Sequence, residues 1–578
     1  MKLGLTLRFL AFVLLVFAFV SGISCRPLSP KQKVETAYSS APAVQFVDVT
    51  QKAGIQFTRS NGAFGQKWLP ETMGGGGGFI DYDGDGFLDI LLLNGDLFPG
   101  HEKKGEAHPH AKLYRNNHDG TFTDVTVKVG LNKPLYGMGI AVGDFDNDGY
   151  DDLFISAIPR SRLFKNVPDP ALSGGRKFVD ITEASGIVDT GFPTSASWLD
   201  YNKDGKLDLF VCHYVAWSPA TEGKNFYSVD GVSKSYARPQ SYRAESCRLY
   251  KNKGNGHFED VTRVAGIESE RSKALGVVVC DYDGDSLPDL VVANDTEPNF
   301  LYHNQGDGTF REVGQEAGIG VSGEGNARAG MGVDAADVTH TGNFDLLITN
   351  FSGEQLSLHR RDAAGLFLDV AARSGIGTAT QNYLGFGACF LDYDGDGWKD
   401  ILINNGHIHD DIGKRDASVT YAEPALLFRN LGDGNFSDVT STVGRSLSTP
   451  RVGRGVAYGD YDNDGAPDLL LFTNNGTPTL LHNENKTGNH WIRLTLIGRE
   501  SNRNAIGTRV KVTSNGQTQT EEVSSGGSYL SASDRRLTFG LGTAKRADAI
   551  EIRWASGKVQ SLAPVESGKS LIVTEGRE

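Results

Sequence analysis

A nonapeptide of the pattern Asp-x-Asp-x-Asp-Gly-x-x-Asp, intact or eroded, begins at Asp81, Asp144, Asp200, Asp281, Asp337, Asp392 and Asp460 of this 578-residue chain. The starts lie 63, 56, 81, 56, 55 and 68 residues apart, so a repeat architecture is required before any single element is assigned. In the first copy Asp81, Asp83, Asp85 and Asp89 alternate with other residues, and their carboxylates meet only if the backbone curls around a point. Gly86 allows that curl, because a residue without Cβ tolerates positive φ. Four carboxylates so placed repel one another unless a hard divalent ion takes their oxygens at about 2.3–2.6 Å, and calcium is the expected occupant.

The copies differ in completeness. Asp144, Asp146, Asp148 and Asp152 form the second set; the third is Asp200, Asn202, Asp204 and Asp208, with one amide oxygen. The fourth, Asp281, Asp283, Asp285 and Asp289, has Ser286 in the glycine position, which predicts a strained turn with its ligands intact. Asp392, Asp394, Asp396 and Asp400 are complete, as are Asp460, Asp462, Asp464 and Asp468. The fifth copy keeps only Asp337 and Asp345 and is expected to bind weakly or not at all. The seventh loop residue, Phe87, Tyr150, Lys206, Leu287, Trp398 or Ala466, adds a backbone carbonyl, giving about six calcium sites.

An EF-hand is excluded by the flanks. That motif needs a bidentate Glu at position 12 between helices, whereas here the twelfth residue is Leu92 or Val292. Each loop runs instead into a short apolar stretch, such as Ile90 to Leu93 or Ile401 to Ile403, which reads as a buried strand. A second unit alternates with the loops: Leu113-Tyr114-Arg115-Asn116 leads to Phe122 to Thr126, and Leu249-Tyr250-Lys251-Asn252 leads to Phe258 to Thr262. This alternation across a Gly-containing turn is a hairpin signature. Each period holds one four-stranded sheet, and seven of them predict an all-β, seven-bladed propeller over residues 44–489. Phe46 to Thr50 and Thr479 to Asn483 are orphan halves of such a hairpin, and their pairing would close the ring and remove sheet edges.

Residues 490–578 read as a second, small β domain, with alternating strands at Trp491 to Leu496, Arg509 to Val512 and Ala549 to Trp554. Asn502, Arg503 and Arg535 could offer a recognition face there, although turn and solvated roles are the simpler reading. At the other end, Lys2 and Arg8 precede the apolar run Phe9 to Val20, which is shorter than the roughly 20 residues of a membrane span and reads as an export signal over residues 1–25, followed by a linker over 26–43. Cys25 leaves a lipid anchor open, but Gly22 stands where a lipobox usually carries Leu or Val, and cleavage with release is favoured. The chain is therefore expected to be exported: secreted, periplasmic or at the cell surface. Cys212 and Cys247 bracket the longest insertion, so an oxidised pair there is open, while Cys280 and Cys389 read as buried apolar residues.

The formal charge of −14 excludes a nucleic-acid partner, which needs a basic surface. Gly74 to Gly78 resembles a phosphate loop only superficially, because no Gly-Lys-Ser/Thr follows and the next residues are carboxylates; a closely packed inner strand is expected. His101, His108 and His110 fall in one insertion and His407, His409, Asp410 and Asp411 in another, where solvated histidines are favoured over a second metal site.

The acidic loops together with the Leu-Tyr-x-Asn…Phe-x-Asp-Val-Thr unit resemble FG-GAP and VCBS repeats, known from integrin-type propellers whose loops hold calcium. Ser501 to Val510, Gly526 to Ser531, Phe539 to Gly542 and Ile552 to Gly557 resemble, in order, the ASPIC and UnbV domain. Together they resemble the cartilage acidic protein family over nearly all of residues 44–578, departing from it at the eroded fifth loop and at Ala555, where that family often has Pro. The resemblance implies a calcium-binding extracellular recognition or adhesion protein without catalysis, binding a protein or glycan ligand. Insertions at 95–110, 213–246 and 407–423 would form its ligand face, with Trp217, Phe226 and Tyr242 as contact candidates. An enzyme acting on polysaccharide through Asp410 and Asp411, or a structural module of an envelope assembly, are the alternatives.

Overall fold

The computed structural model describes residues 44–98, 101, 108–222 and 226–577; the expected export segment, Cys25 and the expected linker lie outside the described residues. From Val44 to Asn485 these residues form seven antiparallel sheets of four propeller strands each. The first strand of each sheet is Gly77–Ile80, Tyr136–Gly143, Pro193–Leu199, Ala274–Cys280, Val333–Ala336, Gly385–Leu391 or Gly453–Gly459. Each packs against its counterpart in the next sheet, and Gly453–Gly459 packs against Gly77–Ile80, so the sheets are blades of a closed ring. The closing pair is the one expected: Val44–Asp48 adds antiparallel to Thr479–Asn485, with Phe46 opposite Asn483 and Val47 opposite His482. The last blade is thus built from both ends of the propeller segment. No helix among the described residues is long and apolar enough to cross a membrane.

Every acidic loop joins the first strand of a blade to its second, and the ninth aspartate, such as Asp89 or Asp289, opens that second strand. Because neighbouring strands are antiparallel, all seven loops lie on one face, and the connections from second to third strand lie on the other. The insertions 95–110, 213–246 and 407–423 are such connections. They meet there through the rings of Phe98 and Trp217, 6.0 Å apart, Lys414 Nζ to Asp230 at 3.0 Å and Ser235 Oγ to Asp411 at 3.1 Å, and the segment before the first blade joins them through Lys67 Nζ to Asp410 at 2.7 Å and the edge-to-face rings of Trp68 and Trp217.

Residues 490–577 make one two-stranded pair, Arg546–Ala547 with Val565–Glu566, and two larger sheets. One holds Leu537–Gly542, His490–Ile497 and Lys569–Thr574; the other holds Gln517–Glu522, Arg509–Ser514, Ala549–Arg553 and Val559–Leu562. Ile492, Leu494, Val510, Val512, Phe539, Ile550 and Trp554 fill the space between them, and their cluster runs on into Phe145 and Trp198 of the propeller.

The segment from Ser525 to Asp534 leaves this second region and enters the centre of the ring, where it touches all seven blades. Ser531–Ala532 adds as a parallel strand to Gly77–Ile80, the Leu530 carbonyl accepts from Ile140 N, and Ser525 Oγ donates to the Trp198 carbonyl. Gly527 N donates to Val277 O, Val333 N donates to Ser528 O, the Tyr529 ring lies 5.0 Å from that of Phe386, and Ser528 Oγ donates to Val456 O. The glycine run is explained by this intruder. A Cβ on Gly76 would sit 2.2 Å from the Leu530 carbonyl oxygen and one on Gly78 2.2 Å from that of Ala532, so only glycine admits the segment.

Candidate metal centres

The backbone of each loop holds its own first aspartate in place. Asp81 accepts from Asp85 N through Oδ1 at 3.1 Å and from Gly86 N through Oδ2 at 3.0 Å, and the pattern recurs at Asp144, Asp200, Asp337, Asp392 and Asp460. The ninth residue points the opposite way: Asp89 accepts from Tyr82 N and from Asn116 N of the third strand. Gly86 has φ +86°, and Ser286 is forced to φ +71°, the strain expected from its sequence position.

The carboxylates do converge. One oxygen from each of Asp81, Asp83 and Asp85 lies within 4.8 Å of the others, and the same holds for Asp144, Asp146 and Asp152 and for Asp281, Asp283 and Asp285. Two further groups of this kind include a histidine: Asp283, Asp289 and His303, and Asp462, Asp468 and His482.

Burial raises these acids. It pushes Asp144 up to about 7, Asp152 to about 9, Asp289 to about 9 and Asp468 to about 8, and it holds Asp89, Asp208 and Asp400 well above the carboxylate range, with neighbouring loop carboxylates adding to the shift. Asp208 is fully buried, and its Oδ2, like Asp83 Oδ1, has no hydrogen-bond partner. A buried carboxylate oxygen left unpaired costs about 1–3 kcal/mol or more. A hard dication ligated by oxygen satisfies such an atom, so the donor set fits calcium. Asp200, Asn202, Asp204, Asp208 and the Lys206 carbonyl would hold it in blade 3, and the corresponding five residues would do so in blades 1, 2, 4, 6 and 7. The fifth loop differs: Arg360 Nε donates to Asp345 at 2.8 Å, and His340 stacks on Trp398 at 3.8 Å between ring centroids.

Two contributors to the loops were not assigned from the sequence. The residue before the asparagine of the third strand is basic in every blade, and in six of them it reaches an acid: Arg115 to Asp83 at 2.6 Å, Lys165 to Asp146, His303 to Asp289 at 3.2 Å, Arg360 to Asp345 at 2.8 Å, Arg429 to Asp394 at 2.8 Å and His482 to Asp468 at 2.9 Å. The asparagine itself staples its blade to the acidic loop of the blade before it. Asn166 Nδ2 donates to Tyr82 O, Asn252 to Phe145 O, Asn304 to Tyr201 O, Asn430 to Val338 O, Asn483 to Tyr393 O and Asn116 to Tyr461 O, all at 2.7–2.9 Å. Blade 5 has Arg361 instead, and Arg361 Nη1 reaches Tyr282 O at 2.7 Å. The signal was present as a repeated Leu-Tyr-x-Asn, but its partner lies about a blade away in the chain.

Other candidates resolve differently. Asn502 is buried and accepts from Ile506 N, and Arg535 pairs with Asp151 at 2.7 Å, so both serve packing and domain contact; Arg503 donates its backbone N to Asn147 Oδ1 and is itself exposed. Tyr242 is 7 % exposed and donates to Glu222, so it packs the insertion, whereas Phe226 is 70 % exposed. Cys212 and Cys247 are neighbouring buried free thiols, and Cys280 and Cys389 are buried as expected. The solvated histidines expected in the 407–423 insertion are instead buried: His407 Nδ1 accepts from His409 N at 3.0 Å, His407 Nε2 and His409 Nδ1 have no hydrogen-bond partner, and Asp410 pairs with Lys67.

Residues 81–155, 240–292, 281–348 and 410–471 match the FG-GAP-like repeat, and residues 498–578 match ASPIC and UnbV. The chain is 23% identical to mouse cartilage acidic protein 1 over 521 residues, which cover 85% of this chain and 72% of that protein. It is 24% identical to the human protein over 463 residues, covering 76% and 62%. Among solved structures, a fungal lectin from Agrocybe aegerita that recognises non-reducing terminal N-acetylglucosamine has a TM-score of 0.37 at 14% identity, covering 70% of this chain and 91% of that one. YCF48 bound to D1 peptide has a TM-score of 0.39 at 8% identity, covering 72% and 93%. The chain is all-β, carries matches to the FG-GAP-like repeat and, at its C-terminal end, to ASPIC and UnbV, and is similar over most of its length to cartilage acidic protein 1.

Proposed function

We propose that this is an exported, calcium-stabilised propeller that recognises an extracellular protein or glycan and performs no catalysis. Six loops would each bind one calcium ion on one face, and the opposite face, built by the three insertions, would carry the ligand. The observations that carry the reading are the convergence of loop carboxylates in blades 1, 2 and 4 and, in blade 3, a buried oxygen, Asp208 Oδ2, that lacks any partner. A bound dication supplies charge neutralisation there, and the protein supplies the rest: Asn252 N and the backbone of the loop orient Asp208 and Asp200, and the Tyr201 carbonyl takes the staple from the next blade. The blocked centre supports placing the ligand on the insertion face, because Ser525 to Asp534 fills the channel that many rings leave open.

Elemental analysis of the purified chain after equilibration at millimolar calcium should return about six ions per chain. A value near zero rejects the loop assignment. Glycan-array and extracellular-protein binding with and without chelator then separates recognition from catalysis: calcium-dependent retention of unaltered ligand is expected, and release of a cleaved product would overturn the non-catalytic reading.

A further inference from the structure

The second domain is seated on the acidic-loop face, and two of its arginines reach the first-position carboxylates of two loops. Arg493 Nη2 donates to Asp460 Oδ2, with the side chains 1% and 3% exposed. Its Nη1 donates to Asn463 Oδ1 in the same loop at 3.1 Å, while Arg536 Nη2 donates to the Asp460 carbonyl at 2.8 Å. On blade 4, Arg509 Nη2 donates to the Asp281 carbonyl at 2.5 Å and to Glu522 Oε2 at 3.3 Å, and its Nη1 lies 3.6 Å from Asp281 Oδ2. Among the described residues, Asp81, Asp144, Asp200 and Asp392, the equivalent carboxylates of the other complete loops, have no ion pair.

The contact at Asp460 is directional. Both the arginine and Gly465 N fall on Oδ2, so Oδ1 stays on the loop side, where it accepts Asp464 N at 3.1 Å. An outer partner that fixes one carboxylate oxygen and leaves the other for an ion is the arrangement by which surrounding groups tune metal ligands. The seam around it is tight, since the Trp491 indole lies against Gly465 and leaves no room for a Cβ there.

We propose that Arg493 and Arg509 are positioning residues for the metal loops of blades 7 and 4, so that seating of the second domain and filling of these two loops are thermodynamically linked. The proposal rests on the calcium reading of the loops. Linkage is reciprocal: whatever factor the seated domain adds to ion affinity, the ion adds to seating. The four other complete loops bind independently of Arg493 and Arg509.

The test is calcium titration of the full chain by calorimetry, with tryptophan emission from the Trp491 seam and protease sensitivity of the 485–490 connection measured in parallel. In Arg493→Gln and Arg509→Gln, taken singly, one site each should weaken about 10–100-fold, and calcium should no longer protect the connection fully. Arg509→Gln is the safer variant, because Arg509 is 16% exposed. Arg493→Lys, which keeps the charge, should recover part of the lost affinity, and Asp83→Ala should delete a blade 1 site without altering the Trp491 signal. Unchanged site affinities in both glutamine variants overturn the linkage while leaving the loop assignment intact. Absence of calcium binding by the unaltered chain overturns the loop assignment itself.

Discussion

Ser286 holds φ +71° where every other copy of the loop has glycine, and a side chain in the left-handed region costs on the order of 1 kcal/mol. Ser286→Gly should therefore stabilise the protein by about that amount in chemical unfolding, with ion stoichiometry unchanged. Asp394, with a fully buried side chain tied to Arg429, is the sharper probe of a site: Asp394→Ala should lower calcium stoichiometry by about one and lower the melting midpoint in calcium. Asp337→Ala in the eroded loop should do far less. Away from the loops, His213 is fully buried between Asp189 at 2.9 Å and Glu245 at 3.3 Å; burial opposes its charge, but the two carboxylates win and raise it to about 9. A raised histidine stabilises the fold fully below its unfolded value near 6.5, and that contribution disappears as pH rises through about 9. The melting midpoint should fall over that window, and His213→Gln should remove this component of the pH dependence.

At the scale of elements, the blades are joined by features that stability measurements can isolate. Asn166→Ala leaves the carbonyls of Tyr82 and Asp151 without their donor in a buried setting, a loss of about 1–3 kcal/mol for each unsatisfied group. Since one of those carbonyls belongs to the first acidic loop, calcium affinity in blade 1 should fall together with stability. Gly78→Val places a Cβ where the Ala532 carbonyl sits, so the central segment should be expelled, seen as new protease cleavage between Ser524 and Asp534. Deleting Val44–Asp48 removes the strand that covers Thr479–Asn485 and exposes a sheet edge; oligomers in size-exclusion chromatography are the expected result.

For the whole molecule the decisive term is charge. Removal of the proposed export segment, residues 1–25 with Lys2 and Arg8, would leave the rest at about −16, and six dications would return it to about −4. At about 1 mM calcium and the weak affinities usual for extracellular loops, each filled site would add roughly 0.4–1.4 kcal/mol. Chelation should lower the melting midpoint of the whole ring rather than of one blade, because each loop is stapled to its neighbour. A calcium-independent melting curve would contradict this. The seven strand sets, the closing pair and the loop positions were legible in the sequence, since each is a local pattern of period two or a fixed ligand spacing repeated at blade length. The partners of Asn166 and Arg361 were not legible, because nothing in a single repeat names the carbonyl of the adjacent blade.

By itself, the sequence determined which residues could gather oxygens around an ion and how many times, because ligand spacing within nine residues is set by local backbone geometry. It also determined the β architecture, through alternation and the glycine at each turn. Only the tertiary structure decided that Ser525 to Asp534 fills the ring, that Arg493 and Arg509 sit on Asp460 and Asp281, and that the three insertions meet on the far face. Those contacts join residues up to several hundred positions apart, and such pairings arise from packing against surfaces that exist only after the blades have formed.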